Sequence, residues 1–117
     1  MSDVLLKLLV LKTADLPRLR AFYEVLGLHF REEQHGTGPL HFSAPIDGMV
    51  LELYPLASGA AADSSTRLGF AVVNLHATIV TLEGGGTKIT TPPKQGPWGN
   101  RAVVKDPDGR AVELYQN

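Results

Sequence analysis

Residues 47–54 read Asp-Gly-Met-Val-Leu-Glu-Leu-Tyr, and residues 108–115 read Asp-Gly-Arg-Ala-Val-Glu-Leu-Tyr. Both stretches follow the pattern D-G-x-x-x-E-L-Y, and every matched position is offset by 61 residues. Because self-similarity at a fixed period indicates repeated supersecondary units, the sequence predicts two copies of one unit. The repeat also places a glutamate, Glu52 or Glu113, at the same position of each copy.

The composition is ordinary for a globular domain and limits the classes of function. A chain of 117 residues is predicted to be a single domain in which the two copies share one core. The net charge of −1 gives no basis for the electrostatic attraction on which nucleic-acid binding depends. Cysteine is absent, which excludes disulfides and thiolate metal ligands.

The apolar stretch at the N-terminus does not read as a targeting or membrane segment. Lys7 interrupts residues 4–11, and the stretch is far shorter than the ~20 residues of a membrane span. It also lacks the basic start and the small-residue cleavage site that a signal peptide has. We therefore expect a cytoplasmic protein with no membrane or nucleic-acid partner.

The first copy is predicted to contain a strand, a helix and three further strands. Residues 4–13 are rich in Val and Leu, which is typical of a strand buried on both faces. Asp15 can cap a helix whose apolar residues recur at helical spacing, and Gly27 can end it. The further strands are predicted at residues 28–33, 40–44 and 49–54.

The second copy repeats this order after a small, polar linker at residues 57–66. Asn74 can cap its helix, and the run of three glycines at residues 84–86 can end it. Each copy therefore reads βαβββ, with module boundaries at residues 1–56 and 67–117. The strands of the second copy are predicted at residues 68–73, 87–90, 101–105 and 111–115.

This element order and several motifs resemble the vicinal oxygen chelate superfamily, the group of glyoxalase I, the bleomycin-resistance proteins and the extradiol dioxygenases. The resemblance covers nearly the whole chain. It implies an α+β fold in which two βαβββ modules form a cup-shaped mixed sheet that holds a ligand or a metal, and it implies a homodimer. The motifs are Asp15-Leu16, Phe22-Tyr23, Leu26-Gly27-Leu28, Asp106-Pro107-Asp108-Gly109 and Glu113-Leu114.

The resemblance also implies where a metal would bind. Metal-dependent members take one ligand from the first strand of each module and one, usually Glu, from the last strand. Glu52 and Glu113 match the last-strand positions, whereas Leu8 and Gly69 match the first-strand positions and offer no side-chain donor. We therefore expect no family-type metal site and no cofactor, and keep a divalent metal as the alternative.

The direction of the two glutamates decides their chemistry. Strand alternation places Glu52 on one face with Tyr54, and Glu113 on one face with Tyr115. From the residues alone a solvent-exposed direction is favoured, whereas the resemblance implies that this face lines the cup. In the cup, burial and a second carboxylate are expected to raise the pKa of one glutamate, which could then serve as a hydrogen-bonding group or a general base.

Residues 92–101 are predicted to form an irregular loop that carries the only tryptophan of the chain. Trp98 can stack on a planar or cationic ligand, or it can pack the loop against the sheet. Arg101 can meet an anionic group or form a surface ion pair. His41 faces the cup only if strand alternation directs it there.

These features predict a protein that binds a small organic molecule in the cup, with Glu52 and Glu113 as polar anchors. One alternative is a metal-dependent lyase, isomerase or dioxygenase that uses both glutamates catalytically, with His41. Another is an accessory module whose cup is filled by its own side chains. The predicted ligand contacts are His41, Phe42, Tyr54, Trp98, Arg101 and Tyr115.

Overall fold

The computed structural model describes residues 3–97 and 99–117. Its strands form two four-stranded sheets, and one helix follows the first strand of each sheet. The predicted α+β fold of two βαβββ modules is confirmed. The elements are β1 (Leu8–Thr13), α1 (Leu16–Val25), β2 (Arg31–Glu33), β3 (His41–Ile46), β4 (Met49–Pro55), β5 (Leu68–Val72), α2 (Leu75–Gly84), β6 (Ile89–Gly96), β7 (Gly99–Lys105) and β8 (Ala111–Gln116).

The first sheet is mixed, with the strand order β1-β4-β3-β2. β1 runs parallel to β4, and β3 runs antiparallel to both of its neighbours. Asp47 and Gly48 connect β3 to β4 with φ angles of 38° and 86°. Two successive positive φ angles are typical of a type I′ hairpin, whose twist matches that of the strands it joins.

Helix α1 covers one face of this sheet. Its cap is the predicted one, since the Asp15 carboxylate accepts the Arg18 N–H at 3.1 Å. The Arg20 guanidinium of α1 lies 4.6 Å from the centre of the Phe42 ring, which places the helix on the Phe42 side of β3. Leu53 is in register with Phe42 and belongs to the same buried face.

The opposite face carries Glu52, because its neighbours Leu51 and Leu53 are both buried on the helix side. We call the face of each sheet that carries its repeated glutamate the glutamate face. In the first module Leu8 and Val10 are on this face, and their side chains are 51% and 37% exposed. The prediction that the first strand is buried on both faces is therefore wrong for the module described by itself.

The second sheet repeats the arrangement with the order β5-β8-β7-β6. α2 begins at the predicted cap, where the Asn74 side chain accepts the Ala77 N–H at 3.0 Å. Its buried residues Leu75, Ile79 and Leu82 form the core of the module with buried strand residues such as Leu114.

The two copies of the repeated motif make different turns. In the second copy the Asp106 carboxylate accepts the N–H groups of Asp108 and Arg110 at 2.9 and 3.0 Å. The Arg110 guanidinium donates to Asp106 at 3.1 Å and to Asp108 at 3.2 Å, and both Asp106 and Arg110 are buried. A buried ion pair therefore holds the second turn, whereas the first is a two-residue hairpin.

The prediction of an irregular loop at residues 92–101 is wrong. β6 extends to Gly96 and pairs with β7, with Lys94 opposite Arg101. β6 is at the end of the strand order, where proline is tolerated, and its register shifts between Ile89 and Lys94. The two consecutive prolines therefore do not end this strand. The strand predicted at residues 28–33 is also shorter, at Arg31–Glu33.

The predicted linker has no regular secondary structure in residues 60–67. There the Asp63 carboxylate accepts hydrogen bonds from Thr66 and Ser65, which lower its pKa. Both helices of the described chain have ten residues, and neither is long and apolar enough to cross a membrane.

Candidate functional site

Glu113 is the centre of a polar cluster on the second glutamate face. Its Oε1 accepts hydrogen bonds from the Tyr115 hydroxyl at 2.6 Å and from Arg101 Nη1 at 2.7 Å. Its Oε2 accepts one from Arg67 Nε at 2.5 Å. The strand register explains the first two contacts, because Arg101 is opposite Tyr115 and both lie on the face of Glu113.

These partners determine the charge of the cluster. The hydrogen bonds from Tyr115, Arg67 and Arg101 lower the pKa of Glu113 to about 2. In return, the hydrogen bond to Glu113 raises the pKa of Arg101. For Glu113 the lowered pKa is opposite in direction to the rise expected for one glutamate of the pair, since hydrogen bonds from a phenol and two guanidinium groups outweigh the desolvation. Glu113 is therefore ionised at neutral pH.

The first-strand position beside Glu113 is a glycine that lies against the Tyr115 ring. Gly69 is in register with Glu113. A Cβ atom added at Gly69 would lie 3.5 Å from Cε2 of Tyr115, an ordinary van der Waals contact, and Gly69 itself offers no side-chain donor. With Leu8 at the equivalent position of the first module, the residues present do not fit the metal arrangement that the resemblance implies.

On the first glutamate face, His41 is surrounded by carboxylates. Its Nε2 lies 3.5 Å from Glu33 Oε1 and 3.8 Å from Glu52 Oε2. The Tyr54 hydroxyl is 3.3 Å from the same nitrogen, and the two rings stack with centres 4.2 Å apart. The His41 side chain is only 1% exposed, whereas His35, 4.0 Å from Glu33, is 76% exposed.

The hydrogen-bond partners define the state of this group. His41 Nδ1 lies 3.1 Å from the Pro39 carbonyl oxygen, which can only accept, so Nδ1 carries a proton. Nε2 faces the Tyr54 hydroxyl and the carboxylates of Glu33 and Glu52. Desolvation and the charges of Glu52 and Glu33 raise the pKa of Tyr54, which keeps this hydroxyl protonated.

The structure therefore brings six of the predicted site residues together, in two groups of three. His41, Glu52 and Tyr54 come together on the first glutamate face, and Arg101, Glu113 and Tyr115 on the second. Phe42 lies instead on the helix side of its sheet, because it follows His41 by one residue. Trp98 lies outside the described residues.

Sequence reasoning missed Glu33, His35 and Arg67. Glu33 is opposite His41 in the β2–β3 register, a pairing that depends on the length of the connecting turn. Arg67 directly precedes β5 and has no charged counterpart one repeat earlier, where Leu6 stands. Only the three-dimensional pairing of strands identifies these residues.

Two βαβββ modules, each with a glutamate on the exposed side of its last strand, define the class of fold to which the resemblance pointed. The profile of the Glyoxalase/Bleomycin resistance protein/Dioxygenase superfamily matches residues 6–114, and the chain belongs to this superfamily. No significant match was found among curated proteins.

Solved structures of similar fold come from bacteria and a plant. An integron cassette protein of V. cholerae is 25% identical, with a TM-score of 0.70, and the match covers 97% of this chain and 95% of that one. TnmS3, an antibiotic binding protein from Streptomyces sp. CB03234, is 24% identical, with a TM-score of 0.72 and coverage of 99% and 98%. A V278E mutant of glyoxalase I from Zea mays is 22% identical, with a TM-score of 0.78 and coverage of 96% and 44%.

Proposed function

We propose that this protein binds a small organic molecule on the glutamate face of its second module and that the family arrangement of metal ligands takes no part. The cluster of Arg67, Arg101, Glu113 and Tyr115 carries the proposal. It is a charged, hydrogen-bonded group whose parts are held in place by strand register and by one another. Such preorganised polar groups fix the orientation of ligands in binding sites.

The charge state of Glu113 favours binding over catalysis. A general base works best when its pKa is near the operating pH. With a pKa of about 2, the Glu113 carboxylate is a very weak base at neutral pH, and both of its oxygens already accept hydrogen bonds. Its role in the proposal is to hold the two arginines and Tyr115 in position.

The exposed parts of the cluster indicate the chemistry of the ligand. The Arg101 and Arg67 side chains are 32% and 55% exposed, so each guanidinium has N–H groups that can reach a ligand. Beside them the Tyr115 ring lies over Gly69 and provides a flat apolar surface. A planar molecule with a carbonyl, phenolate or carboxylate oxygen matches both features.

The comparisons support the binding of a small organic molecule. The superfamily includes bleomycin-resistance proteins, and TnmS3, which has the same fold, is described as an antibiotic binding protein. Sequestration of an antibiotic requires a binding surface and no chemical step. A metal-dependent enzyme is the second candidate, and the carboxylates around His41 are the observation in its favour.

A thermal-shift screen followed by calorimetry tests the proposal. The panel consists of bleomycin and planar aromatic antibiotics that carry phenolic or carboxylate groups. We expect at least one compound to raise the melting temperature and to bind with a stoichiometry of one per chain. Arg101→Ala and Tyr115→Ala should weaken this binding at least about tenfold, which corresponds to about 1.4 kcal/mol.

The control is Arg18→Ala, which removes an exposed arginine of α1 far along the chain from the cluster. It should bind as the wild type does. A panel in which no compound shifts the melting temperature, or a compound whose binding survives both Arg101→Ala and Tyr115→Ala, contradicts the proposal. The first of these outcomes would favour the accessory-module alternative.

A further inference from the structure

We propose that the first module contains a metal site of its own, in which Glu33, His35 and His41 bind one divalent transition-metal ion such as Zn²⁺, with Glu52 beside His41. This site differs from the family arrangement, since its ligands come from β2, β3 and the turn between them. It also lies within a single module and does not depend on the ligand-binding cluster around Glu113.

The spacing of the donor atoms suits a metal ion. The donor atoms of Glu33, His35 and His41 all lie within 4.8 Å of one another. A tetrahedral ion with ligands at about 2.1 Å holds its donor atoms about 3.4 Å apart. The distances from His41 Nε2 to Glu33 and Glu52, 3.5 and 3.8 Å, are already close to this value. The 4.0 Å between His35 and Glu33 requires only a small rotation of an exposed side chain.

His41 is oriented as a metal-binding histidine usually is. Such a histidine donates its other ring N–H to a carbonyl or carboxylate, which fixes the tautomer and the direction of the ring. Here Nδ1 donates to the Pro39 carbonyl oxygen at 3.1 Å, and stacking on Tyr54 holds the plane of the ring. Nε2 therefore lies on the side of the two carboxylates, 3.5 Å from Glu33 and 3.8 Å from Glu52.

The charges around His41 also favour a cation. Glu33 and Glu52 each lie within 4.0 Å of a histidine nitrogen. This contrasts with Glu113, whose charge is matched by two arginines. Two carboxylates beside a buried imidazole are a set of donors that a divalent ion can bind.

The donor types indicate which metals to test. Imidazole with carboxylate suits Zn²⁺, Ni²⁺, Co²⁺ and Fe²⁺, whereas Mg²⁺ and Ca²⁺ prefer oxygen ligands alone. Glu52, at the last-strand position of the family pattern, lies beside this site. The three ligands lie on the side of β4 opposite to β1, where β3 and β2 are found.

Metal titration of the full chain, without an affinity tag and after dialysis against a chelator, tests the site. Calorimetry with Zn²⁺ should show one ion per chain and a dissociation constant in the micromolar range or below. Co²⁺ should give the visible absorption of a protein-bound ion. His35→Ala and Glu33→Gln should weaken Zn²⁺ binding at least about tenfold, and excess Mg²⁺ should not compete.

His41→Ala is expected to abolish binding, but its loss also opens a buried position, so the exposed His35 is the more decisive variant. His76→Ala is the matched control, because His76 is an exposed histidine on α2 of the other module. It should leave the affinity unchanged. Absence of one-to-one Zn²⁺ binding, or binding that His35→Ala and Glu33→Gln leave intact, overturns the proposal. Loss of binding in His76→Ala would also overturn it.

Discussion

Replacement of Glu113 by glutamine removes the charge at the centre of the second cluster and leaves a side chain of nearly the same shape. The pKa of Glu113 falls from 4.5 to about 2 on folding. Since one pKa unit corresponds to 1.36 kcal/mol, this shift sets an upper limit of about 3 kcal/mol on the stabilisation. The Arg67 and Arg101 side chains are 55% and 32% exposed, and solvent screening reduces the expected loss to about 1 kcal/mol.

The pH dependence gives this prediction its sign. A carboxyl whose pKa is lowered by folding stabilises the protein above its unfolded pKa of 4.5, and this stabilisation is lost as the pH falls toward 2. Urea unfolding of wild type and Glu113→Gln should therefore differ by about 1 kcal/mol at pH 7 and by roughly half of that or less at pH 3.

The control for the loss of one negative charge is Glu83→Gln, at an exposed position of α2. It is expected to change the free energy of unfolding by less than about 0.5 kcal/mol. The reasoning is refuted if Glu113→Gln costs as little as Glu83→Gln at pH 7, or if its cost is the same at pH 3 as at pH 7.

Three further substitutions test the fold, each by chemical denaturation. Arg110→Ala leaves the Asp106 carboxylate buried without its ion pair and should cost about 3 kcal/mol; a cost below 1 kcal/mol would contradict a structural role for this pair. Asn74→Ala removes the cap of α2 and should cost about 1 kcal/mol, whereas Asn74→Asp should retain most of the stability. Leu53→Ala empties a fully buried position and should cost about 3 kcal/mol; a cost near zero would mean that β4 faces the other way.

The fold could be predicted from the sequence because its signals are local or repeated. The helix caps Asp15 and Asn74 can be identified in the sequence. So can the repeated motif, whose two copies are offset by 61 residues. The misread segment was residues 92–101, which contain three prolines and were predicted to form an irregular loop. Whether proline ends a strand depends on its place in the sheet, and the sequence alone does not show that β6 is at the end of the strand order.

The candidate sites could be predicted only in part. Alternation correctly joined Tyr54 to Glu52 and Tyr115 to Glu113, since these pairs lie within one strand. The partners that decide the chemistry are Arg67 in the second module and Glu33 in the first. Glu33 reaches its partner through strand pairing, and Arg67 lies just outside the strand that it precedes. The lowered pKa of Glu113 depends first on Tyr115, which alternation places beside it, and then on Arg67 and Arg101, whose contacts appear only in the folded structure.

The central claim is that the second glutamate face binds a small organic molecule through its arginines and tyrosine. The most direct test is a crystal structure of the full chain with the panel compound that raises the melting temperature most. The account predicts that an oxygen of the compound lies within hydrogen-bond distance of Arg101 or Arg67, with its ring against Tyr115. A compound bound away from these residues, or one held by a metal ion coordinated to Glu113, would contradict it.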